Sequence, residues 1–91
     1  MDRDEKLNTI FLGLGERLRA FRKSKGLRQM EFAKVCGIDN KSLSKLELGK
    51  ISITDVVLYN LIINYADFDA HYILTGQQRT LTMTPTEGVE I

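Results

Sequence analysis

One cysteine, one histidine and one proline occur in 91 residues. A single cysteine excludes a disulfide framework and a cysteine-based zinc site, because each needs several sulfur ligands. His71 stands alone, so a histidine metal site or a histidine-based catalytic triad has no second member. No apolar run approaches the ~20 residues that span a bilayer. The opening Met1-Asp2-Arg3-Asp4-Glu5-Lys6 mixes acids with bases, and no apolar block with a small-residue cleavage site follows. That is unlike a secretory signal, and a reducing cytoplasm is the expected compartment. What is present, 43% hydrophobic and 27% charged residues, is the balance of one small soluble globular domain.

The net charge of +1 hides an uneven distribution. Residues 1–16 carry net −2, residues 17–50 net +7, and residues 51–91 net −4. The central block holds Arg17, Arg19, Arg22, Lys23, Lys25, Arg28, Lys34, Lys41, Lys45 and Lys50 against Glu31, Asp39 and Glu47. A block of this kind is an electrostatic footprint for a polyanion, unless it is only a solvated charged face.

Periodicity and punctuation predict an all-α chain of short helices. Ile10, Leu14, Leu18 and Phe21 recur at helical spacing, which predicts a first helix from about Thr9 to Lys25 with Asn8 as its cap. Gly13 and Gly15 weaken its first half. Gly26 ends it. A second helix is expected over Gln29–Cys36, with Phe32, Ala33 and Cys36 on one side and Gly37 at its end. Asp39 then caps a third helix that buries Leu43 and Leu46 and stops at Gly49. Thr54 caps a fourth, to about Tyr65, and a short fifth follows Asp69 and ends at Thr75-Gly76. The last fifteen residues, 77–91, hold four threonines and the only proline. They read as a tail. Within it Thr80-Leu81-Thr82-Met83-Thr84 alternates with the period of a strand, so it is either mobile or a strand that pairs with a two-fold mate.

The link Gly37-Ile38-Asp39 forces a steep angle between the second and third helices, the helix-turn-helix geometry in which the second of the pair enters the DNA major groove. With Leu43 and Leu46 turned inward, Asn40, Lys41, Ser44 and Lys45 face outward. All four hydrogen-bond, and their chemistry suits base edges.

The run Leu18-Arg19-Ala20-Phe21-Arg22-Lys23-Ser24-Lys25-Gly26-Leu27-Arg28-Gln29, then Glu31-Phe32-Ala33, Gly37-Ile38 and Leu43-Ser44-Lys45-Leu46-Glu47-Leu48-Gly49-Lys50, resembles the phage repressor/Cro-type (XRE-like) helix-turn-helix family. Tyr72-Ile73-Leu74-Thr75-Gly76 resembles an ending common in its phage members. The resemblance implies a lambda-repressor-like five-helix bundle over residues 9–76, with the helix-turn-helix at about 29–48, an N-terminal arm at 1–8 and a tail at 77–91. It implies double-stranded operator DNA as partner, bound as a homodimer, with no cofactor and no metal. By the family pattern Asn40, Lys41, Ser44 and Lys45 read bases, while Gln29, Ser42 and Lys50 meet the DNA backbone. Arg22 and Glu47 match a structural pair that ties the first helix to the third. Three departures stand out. Arg28 replaces the usual Ser or Thr cap and adds a phosphate contact; Leu48 replaces a common Asn; Ile53-Thr54 replaces Pro-Ser.

The fourth helix is richer in apolar residues than a core stripe requires: eight of the ten residues from Val56 to Tyr65, with Asn60 and Asn64 the exceptions. The family pattern assigns Leu58, Leu61, Ile62 and Tyr65 to the core, which leaves Val56, Tyr59 and Ile63 surplus. These, with Tyr72 or Ile73 beside them, form the expected dimer surface. Cys36 reads as a small core residue, Asp67 and Asp69 as helix caps, and Gly13-Leu14-Gly15 completes no phosphate-binding fingerprint. No cluster assembles a nucleophile, a base and oxyanion donors, so an enzyme is not expected. The leading expectation is a transcriptional repressor. The alternatives are an antitoxin or adaptor with a protein partner, or a restriction-modification controller.

Overall fold

The computed structural model describes residues 3–78. They form five helices: α1 (Arg3–Ser24), α2 (Gln29–Cys36), α3 (Asn40–Glu47), α4 (Asp55–Asn64) and α5 (Ala70–Thr75). The alternating segment 80–84 lies outside the described residues. Local chemistry sets most boundaries. Asp39, Thr54 and Asp69 each accept a hydrogen bond from a first-turn N–H, of Ser42, Val57 and Tyr72 respectively, which satisfies a donor the helix leaves free. Three helices end in one motif. Leu27 N–H donates to Arg22 O, Ile38 N–H to Ala33 O and Lys50 N–H to Lys45 O, each wrapping a glycine around the last turn.

The start of α1 departs from expectation. The helix begins at Arg3, so residues 3–8 are helical where an arm is expected, and Asn8 lies inside the helix instead of capping it. Asp4 and Glu5 occupy the first turn, where carboxylates favour the positive end of the helix dipole. Residues 3–10 are all exposed, and Ile10, which shares a helical spacing with Leu14 and Leu18, is 42% exposed.

α1 packs against α3 and α5, and α2 against α3 and α4. Leu14, Leu18, Phe32, Ala33, Cys36, Leu43, Leu46, Val57, Leu61, Phe68 and Ile73 are buried between them. Phe21 meets Tyr65 and Phe68 edge-on, with ring centroids 5.3 and 5.2 Å away. Lys25 closes this aromatic corner, its ammonium over the Phe21 and Tyr65 rings and paired with Asp67 at 2.6 Å. Asp67 is therefore an ion-pair partner, not a cap.

α4 is rotated from the expected face. Val57 and Leu61 are buried, Leu58 and Tyr65 half-buried, and Ile62 is 51% exposed. The reason is Asn60. Its Nδ2 donates to the Cys36 carbonyl at 2.9 Å, which turns that edge of the helix toward the end of α2 and carries Ile62 outward. Gly37 makes room for it: φ is +79°, and a Cβ there would sit 2.7 Å from Asn60 Nδ2. The helix-turn-helix turn is thus held by its own hydrogen bonds and by a side chain from α4.

Gly15 also has a positive role. A Cβ on it would lie 2.6 Å from the carbonyl oxygens of Leu46 and Glu47, so α1 touches the end of α3 backbone to backbone. At Gly13 a Cβ would meet the end of the Arg17 side chain, 2.9 Å from Nη1, and no backbone. Gly15→Ala is expected to lower stability by about 1–2 kcal/mol despite alanine's higher helix propensity, because overpacking outweighs it. Gly13→Ala should cost less than Gly15→Ala, because it presses on a side chain and not on backbone. Urea titration of both variants checks this, and equal effects would refute the close-approach account.

Candidate nucleic-acid interface

α3 is fixed from three sides. At its start the Asp39 carboxylate accepts from Ser42 N–H at 2.6 Å. That bond, with the charges of Lys41 and Lys45, holds the Asp39 pKa below its ordinary value. Along its inner face Leu43 and Leu46 are buried. At its end Glu47 enters a knot with Arg22. Arg22 Nε donates to Glu47 Oε2 at 2.7 Å and Nη2 to Oε1 at 3.1 Å, while Nη1 donates to Leu27 O at 2.8 Å. The two side chains are only 10% and 2% exposed. Gln29 Nε2 adds a bond to Glu47 Oε1 at 3.0 Å. One buried carboxylate therefore joins the end of α1, the start of α2 and the end of α3.

With the inner face held, Asn40, Lys41 and Lys45 are exposed and Ser44 is half-exposed on the outside of α3. Ser42 is half-exposed and Lys50 is exposed in the turn after the helix. Gln29 is half-buried with one amide hydrogen already given to Glu47. Arg28 is exposed at the N-cap of α2 and gives no side-chain cap bond, since a guanidinium has no acceptor. Glu31 repairs half of that loss by accepting from Arg28 N–H at 2.8 Å.

The basic block divides in two. Arg17, Arg22 and Lys25 serve the fold. Arg17 Nε and Nη2 donate to the carbonyls of Ile73 and Leu74 at the end of α5, at 2.9 and 3.3 Å. This role is invisible in the local sequence, because its partners lie more than fifty residues away. Arg19, Lys23, Arg28, Lys34, Lys41, Lys45 and Lys50 are exposed, and among the described residues none is in an ion pair.

The residues expected at a dimer surface separate. Val56, Tyr59 and Ile63 are 57%, 63% and 60% exposed and, with Ile62, cover the outer side of α4. Tyr72 is half-buried beneath the Arg17 guanidinium. Ile73 is 2% exposed and belongs to the core. Its side chain is therefore not a surface contact. Leu74, the next residue, is the exposed apolar side chain of α5. Cys36 is fully buried, and burial pushes its thiol up to about 12, so it packs as a neutral small residue. His71 is half-exposed. Among the described residues no three His, Cys, Asp or Glu side chains gather as a metal site.

This two-helix unit, its left-handed glycine turn and its cationic outer face coincide with a match to the helix-turn-helix domain model over residues 13–80. The chain belongs to the helix-turn-helix domain family. This helix-turn-helix chain is also 29% identical over 82 residues to antitoxin PezA of Streptococcus pneumoniae serotype 4 (strain ATCC BAA-334 / TIGR4), covering 86% of this chain and 47% of that protein. It thus spans about half the length of that curated relative. No solved structure matches the chain. No helix among the described residues is long and apolar enough to cross a membrane.

Removing Arg22 alone leaves the Glu47 carboxylate buried without its cation. Arg22→Met is expected to cost roughly 3–5 kcal/mol, whereas Arg22→Met with Glu47→Leu should recover most of the loss. Urea denaturation of the single and double variants measures the coupling. Additive losses would show that the pair is not an energetic unit.

Proposed function

We propose that the chain is a sequence-specific DNA-binding transcriptional regulator, a repressor of the phage repressor type. The observation that carries this reading is the outer face of α3. It presents Lys41 and Lys45 outward on a helix locked by Asp39, Leu43, Leu46 and Glu47. Lys45 and Lys41, with Asn40 and Ser44, have the donors that base edges accept. Arg28, Gln29, Ser42 and Lys50 flank them as backbone contacts, which position the helix without reading sequence. In this reading the protein acts as a non-enzymatic regulator in the cytoplasm.

The same reading makes it a homodimer that joins through the outer side of α4, Val56, Tyr59 and Ile63, with Tyr72 nearby. A contiguous apolar surface of this kind favours a partner over solvent. A two-fold dimer calls for a near-palindromic operator whose half-sites lie about one helical turn, ~34 Å, apart. The similarity to antitoxin PezA supports a second reading, an antitoxin that keeps DNA binding for autoregulation and uses the α4 surface for a protein partner. Under that reading the product of an adjacent gene co-purifies with the chain.

Two experiments test these readings. Lys45→Ala should weaken binding to a duplex selected by the wild type by roughly 1–3 kcal/mol and relax preference at one base pair. Lys50→Ala should weaken binding to selected and scrambled duplexes alike and flatten the salt dependence. Equal losses on both duplexes for Lys45→Ala would remove its base-reading role. In the second experiment light scattering should give twice the chain mass for the wild type and the single-chain mass for Tyr59→Ser with Ile63→Asp. A monomeric wild type would refute the homodimer.

A further inference from the structure

A groove of about 690 Å³ lies at the corner where α4 gives way to α5. Ile62, Ala66, Phe68, Ala70 and the Tyr72 ring form its apolar walls, and its size suits a small ligand or a few residues of peptide. Ile62 stands at the lip, 51% exposed. Two acids, Asp67 and Asp69, share the rim, and among the described residues no Lys or Arg lines it. Asp67 is paired with Lys25. Asp69 accepts from the Tyr72 N–H at the start of α5, and among the described residues no cation pairs with it. The groove is therefore apolar within and carries one uncompensated negative charge at its edge.

The described chain stops on this rim. Gln78 lines the groove, and Arg79-Thr80-Leu81-Thr82-Met83 follow it directly. Arg79 is the only Lys or Arg after residue 50. Leu81 and Met83 stand two apart, a spacing that an extended backbone puts on one side, with the threonines on the other. Three residues span at most ~11 Å and five at most ~18 Å, so both apolar side chains fall within reach of the walls. We infer that the groove seats this chain's own segment 79–83, with Leu81 and Met83 as apolar anchors and Arg79 against Asp69. Tethering selects this occupant. A segment joined to the rim by two residues meets the groove at an effective concentration on the order of millimolar, which a second copy or a separate protein does not reach at ordinary concentrations. Burial of the two anchors against Ile62 and Phe68 supplies the attraction. The exposed ion pair adds little energy and sets the direction of entry. The helix-turn-helix match ends at residue 80, so both anchors lie outside the domain pattern. The seat uses neither α3 nor Val56, Tyr59 and Ile63, so it does not rest on the DNA-binding reading.

The test uses the full chain with Thr84→Cys carrying a nitroxide label; Cys36 is buried and does not take the label. In an isotope-labelled chain the nitroxide should erase the methyl signals of Ile62, Ala66 and Ala70. It should spare Leu7, which lies about 21 Å along α1 from the Phe21 ring that meets Phe68. Leu81→Ser with Met83→Ser should restore the three signals, and Arg79→Glu should weaken their loss. None of these substitutions touches a helix. When the nitroxide and the isotopes are on different chains in a mixed sample, the loss should be smaller than within one chain. Intact signals in the labelled chain overturn the seat, as does a loss that survives the double serine variant. Equal loss at Leu7 and at the groove overturns it too, because the segment then has no preferred place. A mixed-sample loss as large as the intrachain one assigns the groove to a second copy's segment and overturns the tethered seat. An Arg79→Glu chain that behaves as the wild type overturns the contact with Asp69.

Discussion

The Arg22–Glu47 pair is the constraint on which the rest of the molecule depends. Both charges are nearly excluded from water, a placement that is unfavourable unless every donor and acceptor is answered. Here they are: Glu47 receives Arg22 twice and Gln29 once, and the remaining arm of Arg22 reaches Leu27 O. Attraction between the two ions offsets their desolvation without much surplus, so the pair contributes orientation more than stability. Rotating α3 would withdraw Glu47 from the two parallel N–H groups that the Arg22 guanidinium donates to it. The direction in which Lys41 and Lys45 project is set by a bond on the opposite side of their own helix.

Two further contacts make that bond possible. Gly15 lets the α1 backbone rest against the carbonyls of Leu46 and Glu47, which brings Arg22, two turns along the same face, to the carboxylate. Asn60 fastens the end of α2 to α4, so the turn that sets the angle between α2 and α3 is anchored from outside the two-helix unit. Neither contact is rich in energy. Each removes a degree of freedom that hydrophobic burial leaves open, because Leu, Phe and Val side chains tolerate small rotations that a hydrogen bond or a backbone contact does not.

The same distinction explains what was legible in the sequence. Caps and glycine terminators act within five residues, and Asp39, Thr54, Asp69 and Gly37 could be placed from local pattern alone. The inward Leu43 and Leu46 and the outward Lys41 and Lys45 follow from helical spacing. The family resemblance supplied the Arg22–Glu47 pair, which spacing could not. What stayed hidden depends on partners distant in sequence. Gly15 looked like a weak point in a helix, since its neighbours belong to α3. Arg17 looked like one more surface cation, since it caps α5. Asn60 looked like an interruption of an apolar run, and the rotation it imposes on α4 exchanged Ile62 for Val57 in the core. Ile73 looked available at the surface because a five-to-six-residue helix has too little periodicity to reveal its phase. Of the two polar residues in this apolar stretch, Asn60 turns toward α2 and Asn64 stays exposed, a difference that sequence pattern does not reveal.

The positive field over the α2–α3 face is a consequence of how the fold uses its acids. All six carboxylates between residues 26 and 76 are committed elsewhere. Glu31 accepts from Arg28 N–H, Asp39 from Ser42 N–H, Asp55 from Val56 N–H and Asp69 from Tyr72 N–H. Glu47 belongs to the knot and Asp67 to Lys25. Four of these six spend their charge on backbone N–H groups at helix starts, where the helix supplies only partial positive charge. The cations of the same stretch, Arg28, Lys34, Lys41, Lys45 and Lys50, are left without an ion pair. A chain that is nearly neutral overall thereby concentrates uncompensated charge around one rigid helix, and capping chemistry, needed for short helices to exist at all, is what separates the signs.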